Sequence, residues 1–169
     1  MSNKLNKMLT QLFAPDAKIV DSDGSVLKFN KYFKASKDEL EELQIKLGFI
    51  LPLEYLDFLS FSNGCIMYNF NDIDGYYFYN TTEMIKENEY FRKTYFDNNH
   101  SDIIVIGFTF GEHDFLGLKK VSKDEYSVID CYPDGDPSDW NTISISFDIF
   151  VEELIINSGK KFWFNSGIQ

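Results

Sequence analysis

The sequence predicts an α+β fold, with helices flanking a mostly antiparallel sheet. Three observations carry the prediction. Apolar residues in the first third of the chain recur at helical spacing. From Cys65 onward they occur in short runs or alternate. The connections between those runs are short turns such as Asp72-Ile-Asp-Gly75, which join antiparallel neighbours and are too short for parallel crossovers.

Leu5, Met8, Leu9, Leu12 and Phe13 form one apolar stripe, so residues 3–13 read as a helix that ends at Ala14-Pro15. Residues 18–29 read as two short strands around Asp23-Gly24. Ser36 with Glu39 three residues later makes a capping box; Leu40, Leu43 and Leu47 line the helix behind it, and Gly48 ends it. Pro52 suits a first helical turn, Tyr55, Leu56, Phe58 and Leu59 supply an inward face, and Asn63-Gly64 is the stop. Strands are predicted at 65–71 and 75–79, a helix at 82–95, and strands at 103–108, 115–119 and 126–131. Residues 133–139 read as an acidic, turn-rich loop. Ser146 caps a last helix carrying Phe147, Phe150, Val151 and Leu154, stopped near Asn157-Ser-Gly159. No repeat or linker interrupts the chain. Its 169 residues suit a single domain that buries about 70% of the unfolded surface.

Aromatic residues make up 17% of the chain, which predicts a core built on rings. The opening residues lack the apolar run and cleavage site of a secretory signal. The uncharged stretch 58–71 is too short and polar to span a bilayer. Cys65 and Cys131 are too few for a disulfide scaffold, which leaves two buried thiols in a reducing cytoplasm as the expectation.

The net charge of -11 and a single arginine, Arg92, argue against binding bare nucleic acid, which requires clustered bases. The distribution of charge says more than its sum. Residues 1–46 hold 8 Lys and 7 acids, whereas 124–159 hold nine acids and 47–85 hold five, both without a base. Segregated acid steers basic partners at long range, and it is equally the mark of a solvated face. Acid also recurs beside aromatic residues, in Asp72-Ile-Asp-Gly-Tyr-Tyr77 and in Tyr132-Pro-Asp-Gly-Asp-Pro-Ser-Asp-Trp140. Such rings anchor interfaces, or close a sheet beneath an acidic loop.

Catalytic and metal signatures find little support. His100 and His113 lie in no paired ligand spacing, and His113 among acids reads as a turn residue before it reads as a general base. Asp21-Ser-Asp-Gly24, Asp72-Ile-Asp-Gly75 and Asp134-Gly-Asp136 lack the remaining ligands of a calcium loop and are explained as turn chemistry. No nucleophile elbow, phosphate loop or dinucleotide motif is present. No catalytic residue, metal or cofactor is expected.

Ser36-x-x-Glu39-Leu-x-x-Leu43, Leu47-Gly48, Leu51-Pro52-x-x-Tyr55-x-x-Phe58-Leu59 and Asn63-Gly64 together resemble the signature of the SUKH superfamily, the Smi/Knr type of domain. Ile103-Ile-Val-Ile-Gly107 resembles its central strand, Gly111-Glu-x-Asp-Phe-Leu-Gly-Leu118 the next turn and strand, and Ser146-Phe-x-x-Phe150-x-x-x-Leu154 its terminal helix. The resemblance covers residues 33–157 and leaves 1–32 as an N-terminal extension. Gln44, Leu56 and Cys65 depart from the family's commoner residues.

The resemblance implies a SUKH-like α+β domain without catalytic residues. Its bacterial members are mostly immunity proteins that bind and block a cognate toxin domain, often a nuclease with a basic surface. The expectation is therefore a cytoplasmic protein that occludes a basic toxin stoichiometrically. Tyr132, Asp134, Asp136, Asp139 and Trp140, with Glu112 and Asp114, are the expected contact residues. A housekeeping interaction module of the same fold is the second reading, and a small-ligand binder using the acidic loops and His113 the third. Exposed aromatics would also serve a homodimer.

Overall fold

The structure is a computed structural model that describes residues 1–17, 19–20, 23–95 and 101–164. His100 and Asp21 lie outside the described residues. Among the described residues, five α-helices accompany eight strands: α1 (Asn3–Leu12), β1 (Ile19–Val20), β2 (Val26–Lys31), α2 (Lys37–Leu47), α3 (Leu53–Phe61), β3 (Cys65–Phe70), β4 (Asp74–Phe78), α4 (Thr81–Tyr95), β5 (Ile103–Thr109), β6 (Phe115–Lys120), β7 (Tyr126–Cys131), β8 (Asn141–Ser144) and α5 (Phe147–Ile156). The strands lie in sequence order in one sheet, and every pair is antiparallel. This is the α+β architecture that the sequence predicts.

Local signals act as expected at most helix ends. Ser36 Oγ accepts from the Glu39 N–H while the Glu39 carboxylate accepts from the Ser36 N–H, and Gly48 closes α2 at φ 60°. Ser146 caps α5. Pro52 falls one residue outside the predicted place. It is the N-cap of α3, with an extended ψ of 146°, and its carbonyl accepts the Tyr55 and Leu56 N–H groups. Gly64 stands at φ 81°, where a Cβ would come within 2.7 Å of the Asn80 nitrogen and the Phe78 oxygen.

The segment LPLEYLDFLSFSNG is scaffold. Tyr55, Phe58 and Leu59 are fully buried. Rings of Tyr55, Phe58, Phe78 and Phe147 meet with centroids between 4.8 and 6.2 Å apart, mostly edge to face, the geometry that aromatic quadrupoles favour. Helix α5 lies over β7 and β8 and carries α1 and α3 against it, while α4 lies over β5 and carries α2. Leu5, Leu9 and Leu12 of α1 join the same core as Leu154.

Strand β4 ends at Phe78 while β5 continues toward Ile103, so β5 loses its neighbour. The buried Asn88 of α4 takes that place. Its Oδ1 accepts the Val105 N–H at 2.8 Å and its Nδ2 donates to the Val105 carbonyl at 2.7 Å, as a paired strand residue would.

Two elements go beyond the sequence reading. Strand β8 is four residues long with one buried aliphatic, too little alternation to register as a strand. A 3-10 turn at Phe162–Phe164 follows α5.

Candidate functional site: the acidic end of the sheet

Register places three turns side by side. Phe70 pairs with Asp74, Phe108 with Phe115, and Asp130 with Asn141, so the β3–β4, β5–β6 and β7–β8 connections leave the same end of the sheet. The first two touch, since the Phe110 N–H donates to the Gly75 carbonyl at 2.9 Å. The turns carry Asp72 and Asp74, Glu112 and Asp114, and Asp134, Asp136 and Asp139. All are exposed except the half-buried Asp114. The β6–β7 turn at the opposite end mixes Lys123 with Asp124 and Glu125, next to Lys119 and Lys120 of β6. Topology thus concentrates acids that are far apart in sequence.

The 132–140 loop is internally braced. The Tyr132 ring lies over Gly135, where a Cβ would meet it at 2.4 Å, and the Tyr132 hydroxyl donates to the Asp139 carbonyl. The Trp140 indole N–H donates to the Tyr132 carbonyl at 3.0 Å. Asp136 accepts from the Ser138 N–H and hydroxyl at 2.9 and 2.7 Å. Of the seven expected contact residues, Trp140 is turned inward. It is 8% exposed, with its ring 5.7 Å from Phe91, so it fixes the loop from beneath while Asp134, Asp136 and Asp139 face solvent. Tyr132 is half-buried.

Glu112 and Asp114 meet a base that sequence reading passed over. Lys161 pairs with Glu112 and, at 3.2 Å, with Asp114. Two residues on, the Trp163 indole N–H donates to Asp130 Oδ2 at 3.0 Å. Asp130 is 4% exposed, and its other oxygen has no partner among the described residues. One signal was available in the sequence: Lys160 and Lys161 are the first bases after the acidic run 124–159, and aromatic residues follow them directly. Beside this segment, a shallow apolar groove of about 320 Å³ runs between β8 and α5, with Phe162 as one wall.

Burial pushes the Asp130 carboxyl up, and the Lys161 charge and the Trp163 hydrogen bond oppose the shift, while Asp114 and Glu112 reinforce it. A folded value above the unfolded one means that ionised Asp130 disfavours folding. Stability therefore rises as pH falls through the raised value, and the gain is complete near the unfolded carboxylate range at about 4. Glu112, held low by Lys161, loses its contribution only below that range. Lys161, held high by its carboxylate partners, stays charged throughout. Asp130→Asn is expected to flatten the rise between neutrality and about pH 4, measured as melting temperature against pH. Parallel curves for the two proteins would show that Asp130 does not titrate there.

Cys65 and Cys131 are buried free thiols, both pushed up by burial and so held away from the reactive thiolate. His113 stands in the β5–β6 turn at φ 60°, its ring 6.2 Å from Phe108. Among the described residues, no group of three or more His, Cys, Asp or Glu side chains is placed to hold a metal. Nor is any helix there long and apolar enough to cross a membrane.

Fold and site together define an α+β domain built as an antiparallel meander with an acidic end. The chain belongs to the SMI1 / KNR4 family (SUKH-1), whose profile matches residues 34–153. It is also similar to a protein of Bacillus subtilis (strain 168) described as "Uncharacterized protein YobM", 24% identical over 154 residues that cover 86% of this chain and 80% of that one. Helix α1 and strands β1 and β2 precede the matched residues.

Proposed function

We propose that this chain is an immunity protein that binds a cognate bacterial toxin domain and neutralises it by stoichiometric occlusion at the acidic end of the sheet. The observation that carries the reading is the gathering of seven carboxylates from three turns onto one end, three of them on a loop braced from within. A preformed acidic surface attracts a basic protein before contact and loses little entropy on docking. Enzymes that act on nucleic acid carry such basic surfaces to hold phosphate. Membership of the SMI1 / KNR4 family supports the reading, because the bacterial immunity role is the expectation that this family brings.

The test has two steps. Tagged chain is used to capture proteins from the lysate of its host at low and at high salt. Any captured toxin domain is then expressed alone and together with the chain. The expected result is a basic toxin domain held more strongly at low salt, with growth restored by co-expression at equal stoichiometry. Capture of only a housekeeping complex, or no protection by co-expression, would sink the neutralisation reading and favour an interaction module of the same fold.

A further inference from the structure

We propose that the surface formed by Glu112, Asp114, Asp130 and Tyr76 is a receptor for a basic–aromatic polypeptide segment of the partner, and that this chain's own residues 160–164 cover it until the partner displaces them. The proposal rests on the reading of the acidic end as a partner surface and adds which part of the partner enters.

The occupant is visible in cis. After α5, the Ser158 and Gly159 N–H groups donate back to the Ile155 and Leu154 carbonyls, the Schellman arrangement, with Ser158 at φ 54° and Gly159 at φ 83°. The chain reverses there and lays Lys160-Lys161-Phe-Trp-Phe164 against the acidic end. Lys161 inserts between Glu112 and Asp114, and the Trp163 indole donates to Asp130. The Tyr76 hydroxyl donates to the Gly159 carbonyl at 2.9 Å, and its ring lies 6.5 Å from that of Trp163. This is the charge and ring pattern of a bound basic peptide.

Two features set the terms of exchange. Phe164 remains 68% exposed, while Phe162 and Trp163 pack on Phe150 with ring centroids 6.1 and 5.9 Å away, so an incoming segment must bring rings to replace theirs. More telling, Asp130 keeps one oxygen buried without a donor among the described residues. A buried carboxylate satisfied on one side only is an incomplete pairing. A partner segment offering a guanidinium in place of the single indole N–H would satisfy both oxygens. Displacement by water alone would bare Phe162 and Trp163 and break the Lys161 pairs, so release waits on a segment that restores both.

The experiment needs no toxin, so its failure and that of the neutralisation reading are separable. The probe is the capped peptide Gly-Lys-Lys-Phe-Trp-Phe carrying a fluorescent label. The targets are the full chain and its Lys161→Glu variant, in which repulsion from Glu112 and Asp114 unseats the cis segment. Binding to the variant is expected to be about tenfold tighter than to the unaltered chain and to weaken with salt. It is expected to be lost when Asp130→Asn and Glu112→Gln are added. Equal binding to both chains, or equal binding of Gly-Lys-Lys-Ser-Gly-Ser, would overturn the proposal, since the first denies competition and the second reduces the effect to charge alone. Should the variant fail to fold, the unaltered chain supplies the reading through hydrogen exchange. Excess peptide is then expected to speed exchange at residues 160–164 and leave β5 unchanged, and no acceleration at saturating peptide would overturn the proposal.

Discussion

Replacing Asn88 with leucine is expected to lower the stability of this protein by about 2–5 kcal/mol, because two backbone groups of the central strand lose their partners at once. Val105 is completely buried, and the Asn88 amide meets both its N–H and its carbonyl. Leucine fills nearly the same volume, so the loss reports unmet polar groups more than a cavity. The third bond of Asn88, from Nδ2 to the Met84 carbonyl at 2.8 Å, goes to a group that also belongs to the α4 backbone ladder, and its loss adds little. The melting temperature is expected to fall by about 10 °C. Urea denaturation of both proteins checks the value, and a loss below about 1 kcal/mol would mean that Val105 finds other partners.

Reversing Asp134, Asp136 and Asp139 to lysine is expected to slow association with the captured toxin domain by about ten- to a hundredfold at low salt. Most of that difference should vanish near 1 M salt, where charges are screened within about 3 Å. Dissociation should change far less, since exposed rim charges act mainly before contact. Asp136 also accepts two bonds from Ser138, so a triple Asp→Asn variant serves as the companion. It keeps oxygen acceptors while removing charge, and an intermediate slowing is expected of it. Stopped-flow or surface-capture kinetics across salt concentrations would decide. An unchanged association rate in the lysine variant would remove this loop from the interface.

Much of the fold was legible because its causes are local. Ser36, Glu39 and Gly48 bound α2 through bonds made within a few residues, and Ser146 does the same for α5. Phe147, Phe150, Val151 and Leu154 lie on one face of α5 at helical spacing, and all four are buried. Strand β8 was not legible, because its pairing with β7 supplies the order that its own four residues do not signal. The candidate site was legible in part. Composition marked Asp134, Asp136 and Asp139 as acids on a turn, and they face solvent. The inward turn of Trp140 was not legible, because a ring beside a loop gives no sign of which side packs.

The sequence by itself determined the elements other than β8 and the 162–164 turn, their antiparallel class and the segregation of charge along the chain. Hydrogen-bonded caps and apolar spacing act over a few residues and can be read there. Only the tertiary structure decided that Asp72, Asp74, Glu112, Asp114 and the 132–140 loop share one end, since strand register sets that. It alone decided that Asn88 completes β5, and that Lys161 and Trp163 return to Glu112, Asp114 and Asp130. Those contacts join residues that lie from 17 to 49 positions apart. Their partners are chosen by where the folded backbone brings them, and no local signal carries that information.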